Sequence, residues 1–181
     1  RVGIAYVDIT TGEFAATEMQ SADIQSVLRA ELIRLRPAEI LHSEQVTLSN
    51  NLPGHLTPWV DWRFEMSRCE QSLLEQFKVG SLDGFGVRGL PLAVRAAGAI
   101  VQYLVETQPS ALNLLTGLST YSTSEFMTLD AATRRNLELT ETIRDGRVNG
   151  SLLGILDYSV TPMGKRLMRQ WVSKPLLDID L

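Results

Sequence analysis

Asp8 ends the first apolar run of the chain, with Glu13 five residues on and Asp83 far downstream. Carboxylates of this kind could hold divalent cations, since two-metal chemistry needs several of them converging on ions ~4 Å apart. Asp8 also precedes Thr10-Thr11-Gly12, where an aspartate can accept the backbone N–H groups of a turn. The sequence leaves both readings open, a metal site or a turn residue. His42 and His55 stand apart, with no Cys or carboxylate at zinc-ligand spacing. Cys69 has no histidine partner, and neither a Gly-x-Ser-x-Gly elbow nor a Walker phosphate loop occurs. The spacing Gly84-x-Gly86-x-x-Gly89 matches a dinucleotide fingerprint. That fingerprint needs a strand before it and a helix opening within it, whereas here a helix precedes and Pro91 puts the next helix start after all three glycines. It reads as a helix–helix loop. No residue is assigned a catalytic, cofactor-binding or metal-binding role.

Arg134 and Arg135, in "TLDAATRRNLEL" (128–139), could clamp a phosphate. No further Lys or Arg flanks them, and Asp130, Glu138 and Glu141 surround them. The guanidinium fork suits bidentate carboxylate pairing, so these arginines read equally as salt-bridge donors between two parts of the protein. Lys165, Arg166 and Arg169 fall in the middle to late part of a helix, where positive charge is favourable and a solvated face is the plain reading.

These residues must be carried by elements. Two β-type runs, near 2–9 and 13–19, flank Thr10-Thr11-Gly12 and predict a hairpin. Ser21 is expected to cap a helix whose apolar stripe includes Ile24, Leu28 and Leu32 and which Pro37 ends. "AEILHS" (38–43) suits a short buried strand, 44–58 a loop, and the alternating "WVDWRF" (59–64) a half-buried strand. Ser67 and Glu70 suggest a capping box opening a helix to Lys78. Its Cys69, Leu73, Leu74 and Phe77 face inward, and its Arg68, Gln71, Ser72 and Glu75 outward. Helix 91–107 is apolar nearly all round, with small residues at its middle that let another backbone approach. Residues 110–125 read as a linker. Beyond it, Ser151 and Thr161-Pro162 start helices, the second bearing Met163, Leu167 and Trp171 as a stripe. Hairpin, helix and strand followed by helices alone imply an α/β part and the start of an all-α part.

Composition sets limits on function. The 181 residues are 44% hydrophobic and 21% charged, with net charge −4. Residues 1–125 carry 9 Lys+Arg against 14 Asp+Glu, and the remainder 8 against 7. Neither part is the basic body that binds nucleic acid through phosphate neutralisation alone. One cysteine excludes an internal disulfide and fits a reducing, cytoplasmic setting. No apolar run approaches the ~18 residues of a membrane span. The chain starts abruptly at Arg1 and ends in "PLLDIDL", as expected of a piece of something longer.

Residues 127–180 resemble the start of the core (lever) region of the MutS family of DNA mismatch-repair proteins. The resemblance rests on Leu129-Asp130-Ala131-Ala132-Thr133, Arg135-Asn136-Leu137-Glu138, Leu156-Asp157, Thr161-Pro162-Met163-Gly164, and Trp171 ahead of Pro175. Upstream, "GIAYVDITTGEF", "RPAEIL" and "FGV" resemble that family's connector domain. The resemblance implies a ribonuclease H-like α/β fold, a mixed sheet flanked by helices, over 1–109. A linker over 110–125 and the first helices of the core over 126–181 would follow. It also implies a role in coupling mismatched-DNA recognition to the ATPase and in docking MutL. It makes Asp130, Arg134 and Arg135 an interdomain joint, Asp130 starting a turn and the arginines tying the core to the connector. The family's Phe-x-Glu mismatch wedge and Walker loop do not occur here. ATP, Mg, mismatched DNA and homodimerisation would therefore belong to the full-length protein, and this piece is expected not to be an enzyme. The alternative is a metal-dependent nuclease of ribonuclease H-like fold built on Asp8. With recognition and ATP hydrolysis subtracted, the outward residues Arg68, Gln71, Ser72 and Glu75 are the candidate docking face.

Overall fold

The computed structural model describes residues 1–49, 51–122, 127, 129, 131–173 and 175–177. The chain forms two compact units, Arg1–Ser122 and Thr123–Leu181.

In the first unit the expected hairpin forms, β1 (Val2–Asp8) against β2 (Glu13–Met19), antiparallel with Asp8 opposite Glu13 and Val2 opposite Met19. β2 is buried on both faces: Phe14 and Ala16 point one way, Ala15, Thr17 and Met19 the other. β2 is also the middle strand of three, with a partner along each edge. β5 (Ser119–Thr120) pairs with it in parallel, in the order β1-β2-β5.

Helix α1 (Ile24–Leu35) starts at Asp23, whose carboxylate accepts from the Ser26 N–H at 3.1 Å. Ser21, the expected cap, instead accepts from the Asp23 N–H. The helix ends with Arg36 in the left-handed region, one residue before Pro37. β3 (Glu39–Ser43) then pairs in parallel with β4 (His55–Trp59) as a separate two-stranded sheet. The end of the expected loop is thus strand, and Pro58 is tolerated because β4 has a partner on only one side.

The strand expected over 59–64 stops at Trp59, and Asp61–Phe64 is a 3-10 turn. Side-chain contacts explain the departure. The Arg63 guanidinium lies over the rings of both Trp59 and Trp62, at 4.8 and 4.4 Å. Neighbours on a strand point to opposite faces, so Arg63 could not cover Trp62 there. The turn runs straight into α2 (Met66–Phe77), with only Glu65 extended between them. Ser67 consequently sits inside the first turn of α2, and the expected Ser67–Glu70 capping box does not form.

Helix α3 (Pro91–Thr107) matches its expected span and is the centre of the core. Its small residues admit two close approaches. A Cβ at Gly98 would lie 2.4 Å from the Cα of Cys69 on α2, and one at Gly3 of β1 would lie 2.1 Å from the Leu92 carbonyl oxygen. Glu18 of β2 accepts from the Leu92 N–H at 2.9 Å, satisfying a free donor at the start of α3.

The expected linker, 110–125, belongs to this core as far as residue 122. A 3-10 turn over Pro109–Leu114 leads to β5, and Ala111, Leu115 and Leu118 are buried. Leucine pairs in a stretch between elements resemble a linker because no period marks them. Their burial comes from α3 and β2 beside them.

The second unit holds α4 (Ala131–Asn136), α5 (Leu152–Leu156) and α6 (Pro162–Ser173). Ser151 caps α5 as expected, accepting from the Gly154 N–H at 3.2 Å, and Thr161 accepts from the Gly164 N–H at the start of α6. The α6 stripe is left open: Met163 is 62% exposed and Trp171 64%.

Two outcomes follow. Gly98→Ala gains helix propensity of about 1 kcal/mol but must push two helices apart, which typically costs about 1–3 kcal/mol. Denaturant unfolding is expected to show net destabilisation, and an unchanged midpoint would mean that the helices are not this close. A chain cut after residue 109 should be less stable than one cut after 122, because Leu115 and Leu118 alone contribute about 1.5–3 kcal/mol each on burial. Equal melting temperatures would put the boundary back at 109.

Candidate partner interface

Helix α2 is anchored from inside. Cys69 and Leu73 are fully buried. The Cys69 thiol reaches the carbonyls of Arg63 and Arg95, each at 3.2 Å. The Gln102 amide of α3 donates to the same Arg63 carbonyl at 2.9 Å. The Arg95 guanidinium donates to the Phe64 carbonyl at 2.5 Å. Farther along, the Gln76 amide donates to the Leu112 carbonyl at 2.8 Å, tying α2 to the turn before β5. Burial pushes the Cys69 thiol up to about 11, while the Arg95 charge and the Gln102 contact pull the other way. A free thiol titrates at about 8.5, so stability from this difference is present below that pH and lost as pH rises through about 11.

The outer surface of α2 forms one wall of an open groove of about 840 Å³, with α3 opposite. The four residues expected to face outward line it: Arg68, Gln71, Ser72 and Glu75. Arg68, Gln71 and Glu75 are exposed and Ser72 half-buried. The Gln71 amide donates to Glu75 at 2.7 Å, one helical turn on, and the Ser72 hydroxyl donates back to the Arg68 carbonyl at 2.9 Å. Arg68 lies over the Trp62 ring, 4.6 Å from its centre. Across the groove Arg63 pairs with Glu106 of α3. Nothing in the local sequence pattern joins Trp62 to Arg63 and Arg68, so this stack escaped the sequence reading.

Asp8 accepts from the Thr10 N–H at 2.8 Å and from the Thr10 hydroxyl, which commits it to the hairpin turn. Glu13 accepts from the Tyr6 hydroxyl, and Asp83 opens a separate 3-10 turn over Asp83–Phe85. Among the described residues no group of three His, Cys, Asp or Glu lies together to hold a metal, so the nuclease alternative finds no support. The glycine loop does not fit a nucleotide phosphate either: α2 rather than a strand precedes it, and α3 opens with Pro91, which has no N–H to offer. Asp130 lies outside the described residues. Arg134 donates to the Ser173 carbonyl at the end of α6, at 2.6 Å, and Arg135 is exposed on α4.

A second network, which no sequence motif marks, lies at α1. Glu31 of α1 pairs with Arg34 and accepts from the Tyr121 hydroxyl at 2.7 Å, while Arg34 lies over the Tyr121 ring. Tyr6 meets Tyr121 edge to face at 5.8 Å. Burial raises both phenols, and the neighbouring carboxylate adds to the effect, Glu13 for Tyr6 and Glu31 for Tyr121. A glutamate standing in the apolar stripe of α1 was the available signal.

The fold and this surface define a class: a small α/β domain without a cluster of metal ligands among its described residues, followed by helices of a further unit. A family model described as MutS domain II matches residues 1–116, and one described as MutS domain III matches 132–181. The chain is 45% identical over 98% of its length to the DNA mismatch repair protein MutS of Thermosynechococcus vestitus, covering 22% of that protein. It is 40% identical over 97% of its length to that of Syntrophomonas wolfei (21% of the relative). For Roseiflexus castenholzii the figures are 38% and 99%, with 20% of the relative covered. The chain belongs to the MutS family of DNA mismatch-repair proteins and spans about a fifth of the length of these relatives.

The thiol offers a direct check on the anchoring of α2. Cys69 should resist an exposed-thiol reagent such as Ellman's at pH 8 in the folded chain and react at once in denaturant. Rapid labelling of the native chain would show that α2 is not seated on α3 as described.

Proposed function

We propose that this chain is the part of a mismatch-repair ATPase that transmits between DNA recognition and ATP hydrolysis, and that it docks MutL through the outer face of α2. The first unit then corresponds to the connector domain, with the ribonuclease H-like arrangement expected of it. The second corresponds to the first helices of the core. Mismatch reading, ATP and Mg binding and homodimerisation fall to other parts of the protein, and this chain performs no catalysis itself. The exposed stripe of α6 supports the same reading, because such a stripe needs further helices to cover it. The buried free cysteine suits a cytoplasmic setting.

The observation that carries the docking role is the contrast between the two sides of α2. Its inner side is fixed by fully buried side chains, and its outer side is polar and borders an open groove. Rigid elements with exposed outer residues are what partners dock on with little rearrangement. Glutamate at both Gln71 and Ser72 should weaken MutL recruitment by a protein of the relatives' length containing this chain. Mismatch binding and ATP turnover should stay near normal. Normal recruitment by that double variant, with no crosslink from either position to MutL, would refute the docking role.

A further inference from the structure

Two guanidinium groups lie over Trp62, and among the described residues only one of them is paired with a carboxylate. Arg63, 4.4 Å from the ring centre, is paired with Glu106. Arg68, 4.6 Å from the same centre, has no carboxylate within ion-pairing distance among the described residues. We propose that Arg68 anchors the partner: its guanidinium, held over Trp62 at the groove between α2 and α3, takes an aspartate or glutamate side chain from the docked protein. The inference rests on the docking role of α2 and adds the chemistry that the partner must bring.

Stacking on an indole limits the rotamers of a long side chain before any partner arrives, so less entropy is lost when the fork forms its two parallel N–H bonds. Arginine and tryptophan are also enriched where truncation damages interfaces most. Val105, 54% exposed on the α3 wall, gives the same segment an apolar contact beside the charge.

The groove selects a protein carboxylate over nucleic acid. Glu65 and Glu75 line it together with Glu106, and among the described residues only Glu106 of the three has an ion-pair partner. A polyanion would bring several phosphates against those carboxylates, whereas a single carboxylate can meet Arg68 and avoid them.

The test measures binding of purified MutL to a protein of the relatives' length containing this chain, with Arg68→Glu, Arg68→Lys and the Gln71/Ser72 double variant side by side. Arg68→Glu should weaken binding by about tenfold or more, as loss of an anchoring arginine does. Arg68→Lys should also weaken it, though less, because lysine keeps the charge without the planar fork. One Asp→Arg or Glu→Arg change in MutL should restore binding to Arg68→Glu alone. If the double variant loses MutL while Arg68→Glu binds within twofold of the unsubstituted protein, docking stands and Arg68 is not its anchor. If all variants bind normally, both readings fall. If Arg68→Glu instead lowers affinity for duplex DNA and leaves MutL binding intact, the groove takes phosphate and the proposal is wrong. Should Arg68→Glu fail to fold, Arg68→Lys and an acid-to-alanine scan of MutL decide: at least one alanine must weaken binding as much as Arg68→Lys.

Discussion

The first unit depends on how closely α3 is approached from two sides. Where Gly98 meets Cys69, and where Gly3 meets Leu92, no side chain fits between the backbones. Ala93, Ala97 and Ala99 keep the rest of the helix thin and are essentially buried. A helix so apolar and so narrow can serve as the common floor for the hairpin and for α2. Bulk at either contact would have to be absorbed by moving a whole element, because interiors packed to crystal density do not yield locally.

What α3 fixes, the surface inherits. Its Gln102 and the Arg95 side chain hold the backbone of the Asp61–Phe64 turn, which delivers Trp62 and Arg63 beside the first turn of α2. The groove's walls are therefore tied to the core beneath them, although apart from Val105 the residues proposed to meet a partner are polar. The transmitting role proposed for this chain relies on such fixed placement, since coupling travels through packed elements with defined positions.

On the far side of the sheet, Glu31, Arg34, Tyr121 and Tyr6 do comparable work with polar groups. They fasten α1 to Tyr121, the residue after β5 and one short of the unit's end. A buried carboxylate is costly alone and acceptable here because a guanidinium and a phenol both satisfy it. The carboxylates that first suggested chemistry have simpler uses, Asp8 in its turn and Glu13 on Tyr6.

Much of this was legible without coordinates. The hairpin register follows from its turn, the span of α3 from Pro91 and its apolar composition, and the caps at Ser151 and Thr161 from local hydrogen-bonding chemistry. The inward and outward sides of α2 follow from a 3.6-residue period. All of these depend on neighbours a few residues away. Tertiary contacts decided the rest. Trp62 and Arg63 turn out of a strand because Arg63 covers two indoles at once, and α2 begins upstream of its apparent capping box as a result. Residues 110–122 join the core because β2 has a free edge and α3 a free flank, neither of which is written within that stretch. The open guanidinium of Arg68 became visible only beside the one that Glu106 had already taken. Local sequence determines which conformations and faces are cheap, but which of them is used depends on groups brought together from far along the chain.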